Sequence, residues 1–157
     1  MKELFFDESI ILLNVAAESK QEILKKMSTN LVEKGLVKPS FIHAILEREE
    51  EFATGLPTEG CSVAIPHTDI EHVVHKTISI GILKEPVEFG VMGDDSETTP
   101  VKIVFLLAMD EAHSQLSLLQ KLMQLFQNQE TLKYLYGESS RTNIKNFVKE
   151  KLDLSQI

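Results

Sequence analysis

The stretch VKIVFLLAMDEAHSQLSLLQKLMQLF, Val101 to Phe126, decides how this chain folds. Its first nine residues are almost continuously apolar, which suits a central strand covered on both faces. Asp110 and Glu111 break the run, and Leu116, Leu119, Leu122, Met123 and Phe126 then recur at helical spacing as one predicted apolar stripe. A buried strand leading straight into an amphipathic helix is the building step of layered α/β proteins. His113 opens that helix.

Working outward, Ile10 to Leu13 reads as a short strand after the turn-like DES. Ser19 with Glu22 three residues on forms a capping-box pattern, and the helix it opens carries Ile23, Leu24, Met27, Leu31 and Val32 up to a stop at Gly35. A second helix is predicted from Pro39 through SFIHAILEREEE, with Phe41, Ile42, Ile45 and Leu46 on its apolar face. ATGLPTEG, Ala53 to Gly60, reads as a loop, and Val63 to Ile65 as a short strand ended by Pro66. KTISIGIL, Lys76 to Leu83, alternates in strand rhythm, while PVEFGVMGDDSETTP reads as a short strand and an acidic turn. The helical stretches QETLKYLY and SRTNIKNFVKEKL close the chain. The expectation is a single α/β domain over residues 1–157, with a mixed sheet sandwiched between helices.

Composition narrows the function. Hydrophobic residues make up 43% and charged residues 25% of the 157, an ordinary globular balance. The formal net charge of −8 with no basic patch argues against nucleic acid. The longest apolar run, Ile103 to Met109, is far too short to span a membrane. A single cysteine and the absence of a secretory pattern in MKELFFDESI lead us to expect a reducing cytoplasm.

In GCSVAIPHTD, Gly60 to Asp69, a proline stops the strand and His67 follows at once, where we expect it to project into solvent. Histidines at turns are common, so an ordinary strand end stands beside a functional reading. The functional reading is that His67 and His113, each at the mouth of a strand, hold a phosphoryl group. A neutral imidazole nitrogen is a competent phosphorus nucleophile near pH 7, and a helix N-terminus at His113 favours added negative charge. Arg48, in LEREEE, could clamp two phosphate oxygens, or simply sit on a solvated helix face beside glutamates. His67, His72 and His75 with Asp69 and Glu71 invite a zinc reading, but their spacing matches no zinc-enzyme motif. Cys61 and His67 do not make a hydrolase pair, because extended chain would set them about 20 Å apart. A metal site is accordingly not expected from these residues.

FATGLPTEGCSVAIPHTDIEHV resembles the signature of the fructose/mannitol-type enzyme IIA (EIIA type-2) of the bacterial phosphotransferase system (PTS), in which a TG…G…AIPH stretch presents the phosphorylated histidine. ILEREEEFATG is similar to that family's RE…TG approach, and Val101 to Leu122 to its strand and histidine-opened helix. The likeness runs from about Ser19 to Phe126. It implies the mannitol-type IIA fold and a phosphocarrier. His67 would be the phosphorylated nucleophile, His113 the second active-site histidine and Arg48 the phosphoryl contact. The carrier protein HPr would be the donor, and a cysteine of enzyme IIB the acceptor, with the permease IIC served indirectly. The longer TGLPTEGCSVAIPHT loop is closer to the galactitol-specific branch. An alternative on the same fold is a regulator of the nitrogen-related branch, acting by phosphorylation-dependent protein binding. An apolar rim of Leu56, Val63 and the PTEG loop would suit transient docking.

Overall fold

Two long antiparallel strands carry the fold in the computed structural model, which describes residues 3–58 and 61–154. Strands β4 (Thr77–Val91) and β5 (Asp94–Ala108) pair from Thr77 opposite Ala108 to Val91 opposite Asp94, turning at Met92 and Gly93. Gly93 has φ +79°, a left-handed conformation that glycine adopts at no steric cost. The acidic segment expected as a turn is therefore mostly strand. Val87, Phe89, Thr99 and Val101 are buried along this distal arm, and their burial favours pairing over a free turn. The register slips between Ile82 and Val87, where Pro86 needs no ladder partner.

The other strands are short. Strand β1 (Ile11–Val15) pairs in parallel with β4, after a 3-10 turn over Glu8–Ile10. Strand β2 (Gly55–Leu56) lies within the segment expected to be all loop. It pairs antiparallel with β3 (Ser62–Ala64), and β3 pairs in parallel with β5. Gly55 then returns to meet Val91 of β4. A Cβ at Gly55 would run into the Gly90 carbonyl, so only glycine permits this approach. The pairings β4–β5–β3–β2–β4 thus close a circuit, with β1 outside it.

Ile103 to Met109 are all buried, so both faces of β5 are covered, as expected for a mixed sheet between helices. Helix α1 (Lys20–Glu33) packs on β4 and against α2 (Ser40–Glu51). The Ser19 hydroxyl accepts from Glu22 N–H at 3.1 Å, and the Glu22 carboxylate reaches back to Glu18 N–H at 2.8 Å, so the cap forms with its return bond one residue early. Helix α3 (Ala112–Leu125) packs against α5 (Arg141–Leu152), which touches β1, while α4 (Gln129–Gly137) rests on β5. The α3 stripe differs from the predicted one. Leu118, Leu122 and Phe126 are buried, whereas Leu116 is 56% and Met123 42% exposed. The helix carries leucines on two adjacent stripes, and the packing partner chooses between them. Among the described residues, no helix is long and apolar enough to cross a membrane.

Candidate active site

The turn carrying His67 is fastened on both sides. Ile65 N–H donates to Thr54 O at 3.3 Å, and Leu107 N–H donates to Pro66 O at 2.9 Å. One anchor leads to β2 and the other to the end of β5. Between them the His67 ring is half-buried rather than free in solvent, which corrects the expectation of a projecting side chain. Its Nδ1 lies 2.9 Å from Ile65 O. A carbonyl only accepts, so the neutral ring carries its proton on Nδ1 and leaves the Nε2 lone pair unengaged by this contact. Burial holds the His67 pKa below its ordinary value against the opposing pull of the Ile65 bond, and the Arg48 charge adds a smaller push in the same direction as burial. At pH 7 the ring is accordingly mostly neutral.

Arg48 stands in the last turn of α2. Its guanidinium carbon is 4.4 Å from the centre of the Phe52 ring, and among the described residues its buried Nε has no hydrogen-bond partner. Arg48, Thr68 and Asp69 line one open groove of about 390 Å³, which brings the C-terminal end of α2 beside the residues following His67. His113 is exposed in the first turn of α3, beyond the end of β5. The Pro66–Leu107 bond sets the His67 turn at that same strand end.

The remaining histidines have other partners, although His43 and His72 line the same groove as Arg48. His72 Nδ1 is 2.8 Å from Ser40 Oγ, and His75 Nε2 is 2.8 Å from Glu3 O. His43 is exposed, with Nε2 3.0 Å from Glu47. Cys61 is half-buried just before β3, and burial raises its thiol pKa against a smaller opposite effect of Lys102. The proposed apolar rim is corrected at Val63, which is fully buried in β3; Glu59 and Gly60 lie outside the described residues. Phe52, Ile70 and Leu116 are exposed instead.

Sequence reasoning passed over Glu49 and Thr54. The Glu49 carboxylate is buried and accepts from Thr54 N–H and from Thr54 Oγ1, both at 2.7 Å. The signal was present as a glutamate on the inner face of α2 with a threonine just past the helix end. Gln115 was also passed over; its Oε1 is buried without a partner among the described residues.

Comparison with known proteins settles the family. The profile of "Phosphoenolpyruvate-dependent sugar phosphotransferase system, EIIA 2" matches residues 3–151. The chain belongs to that family. It is thus a PTS IIA phosphotransferase component. The mannitol-specific phosphotransferase enzyme IIA component of Halalkalibacterium halodurans is 29% identical over 153 residues, covering 96% of this chain and 98% of that protein. The galactitol-specific EIIA component of Escherichia coli K12 is 28% identical over 134 residues, covering 85% and 89%. The transcriptional regulator ManR of Bacillus subtilis is 33% identical over 101 residues, 64% of this chain but only 14% of that protein. Enzyme IIAMtl of Escherichia coli, solved in complex with phosphorylated enzyme IIBMtl, superposes with a TM-score of 0.73 at 23% identity, covering 96% and 98%, and shares the fold. The mannitol- and galactitol-specific components match over most of their own length, whereas ManR matches over a small part of its own, and the purely regulatory alternative is not favoured.

Proposed function

We propose that His67 Nε2 takes the phosphoryl group from the phosphohistidine of HPr and passes it to a cysteine of enzyme IIB. In the first step the bond between phosphorus and the donor imidazole breaks as the Nε2–phosphorus bond forms. The donor nitrogen keeps the bonding pair, and the His67 proton stays on Nδ1, donated to Ile65 O. The observation that carries this reading is the Nδ1 contact at 2.9 Å in a ring whose pKa is depressed by burial. Such a ring has one defined nitrogen with an available lone pair at neutral pH.

Arg48 would contact the phosphoryl oxygens, for which its buried, unpartnered Nε–H and nearby charge are suited. His113 would stabilise and orient the group from the first turn of α3, where the unpaired helix N–H groups favour negative charge. Catalysis would rest on positioning and charge stabilisation.

The physiological role we propose is uptake and phosphorylation of a sugar or polyol, galactitol-like, with the permease IIC served through IIB. The galactitol-specific relative supports it, and the mannitol-specific relative supports the wider polyol class. The action would be cytoplasmic and carried out by residues 1–157 as one EIIA unit, a reading supported by the family match over 3–151.

The test is intact-protein mass after incubation with phosphoenolpyruvate, enzyme I and HPr. Wild type should gain one acid-labile phosphoryl group and His67→Ala none. Phosphorylation of the variant, or none of wild type, overturns the assignment.

A further inference from the structure

We infer that Glu49 is a positioning residue for His67, acting through Thr54 and Ile65 to hold the imidazole proton on Nδ1. This deepens the proposed function and rests on it.

The connection can be followed bond by bond. Glu49 sits in the last turn of α2 with 1% of its surface exposed. Its two carboxylate oxygens each take one donor from the same residue, Thr54 N–H and Thr54 Oγ1, both at 2.7 Å. Thr54 is therefore gripped by backbone and side chain together, which fixes the direction of its carbonyl. That carbonyl accepts Ile65 N–H at 3.3 Å. The opposite side of the Ile65 residue, its own carbonyl, meets His67 Nδ1 at 2.9 Å. Glu49 thus sets the residue that sets the carbonyl that selects the ring proton. The Pro66–Leu107 bond holds the next peptide from the other side, so rotation of the Ile65 carbonyl is resisted from both flanks.

A purely structural cap would not need a carboxylate here. Burying an ionisable acid is costly, and desolvation pushes the Glu49 pKa up to about 7 despite the two Thr54 bonds. The arrangement tolerates either protonation state, because the Thr54 hydroxyl can donate to a carboxylate or accept from a carboxylic acid. Two hydrogen bonds to one residue give orientation, which an apolar side chain of the same volume could not supply. Arg48 is the adjacent residue, so one helix end holds both the phosphoryl-contacting head and the device that orients the nucleophile.

The experiment is NMR of the imidazole nitrogens in 15N-histidine-labelled full-length protein, paired with the rate of phosphoryl acceptance from phospho-HPr. Wild type should show His67 as the Nδ1–H tautomer. In Glu49→Ala and in Thr54→Val the Nε2–H form should grow, and acceptance should slow by about 10- to 100-fold, the usual cost of a misplaced reacting group. Glu49→Gln should rescue both, because its amide oxygen can accept Thr54 N–H while its amide N–H donates to Thr54 Oγ1. If Glu49→Ala fails to fold, Thr54→Val decides, since it removes the hydroxyl at nearly constant volume. A folded Thr54→Val with wild-type tautomer and rate overturns the inference, as does a Glu49→Gln no better than Glu49→Ala. Failure of wild type to take phosphate on His67 would instead bring down the functional reading, and the tautomer comparison would still judge the Glu49 connection.

Discussion

His67 and His113 follow neighbouring strands at one end of the sheet, yet the protein treats them in opposite ways. His67 is half-buried, its ring tied to Ile65 O and its backbone anchored to Thr54 and Leu107. His113 stands exposed on the first turn of a helix that begins only after Asp110 and Glu111. A nucleophile gains from having one nitrogen, one tautomer and one direction. A supporting group gains from reach. The contrast suggests that commitment to a single geometry is concentrated in one of the two rings.

Substitution at each site can break or sharpen that contrast. The largest effect is expected at the tethered ring, where His67→Ala should eliminate phosphoryl acceptance altogether. Next comes the buried acid behind it. The pKa of Glu49 rises from 4.5 to about 7 on folding, so between those values the folded protein holds more protons than the unfolded one. The stability of wild type relative to Glu49→Gln should therefore be highest below pH 4.5 and fall as pH rises. The loss should total about 3 kcal/mol and be complete above pH 7. Denaturant titrations of both proteins across that range check it, and parallel curves would mean Glu49 titrates normally.

Arg48→Lys should slow acceptance by about a hundredfold, because an ammonium cannot reproduce the planar fork; stopped-flow transfer from phospho-HPr would measure it. An unchanged rate would return Arg48 to the helix surface. The smallest effect belongs to the exposed ring. His113→Ala should cost about tenfold in the same assay, the worth of one hydrogen bond to a charged group. A complete loss there would erase the proposed difference between the two histidines.

Much of this arrangement was legible in the residues. The apolar run before Met109 and the proline before His67 announced a central strand and a terminated one, and both stand where the pattern put them. The capping serine of α1 was equally plain. What escaped was set by tertiary partners. GDDSETTP has turn composition, but the buried Phe89 and Val101 on the facing arms pull it into the hairpin. Two leucine stripes on α3 made its buried face ambiguous until α5 packed against one. The Glu49–Thr54 grip was hidden because it joins the end of a helix to the chain beyond it through a polar contact that periodicity does not register.

The closed circuit of strands bears on when the site comes into being. Strands β4 and β5 meet across a two-residue turn, a local contact that forms readily. Strand β2 must travel from far away in sequence to place Gly55 against Val91, a closure that carries a greater loop entropy. The hairpin is thus expected to be an early, durable unit and the β2–β3 segment a late clasp upon it. Amide exchange should then be faster at Ile65 than at Phe105, and equal protection would mean that the circuit opens in one piece. The imidazole of His67, which we propose takes the phosphoryl group, is borne by the clasp. Its readiness follows the population of the closed clasp, so the protein can lose its chemistry in brief local openings without losing its core.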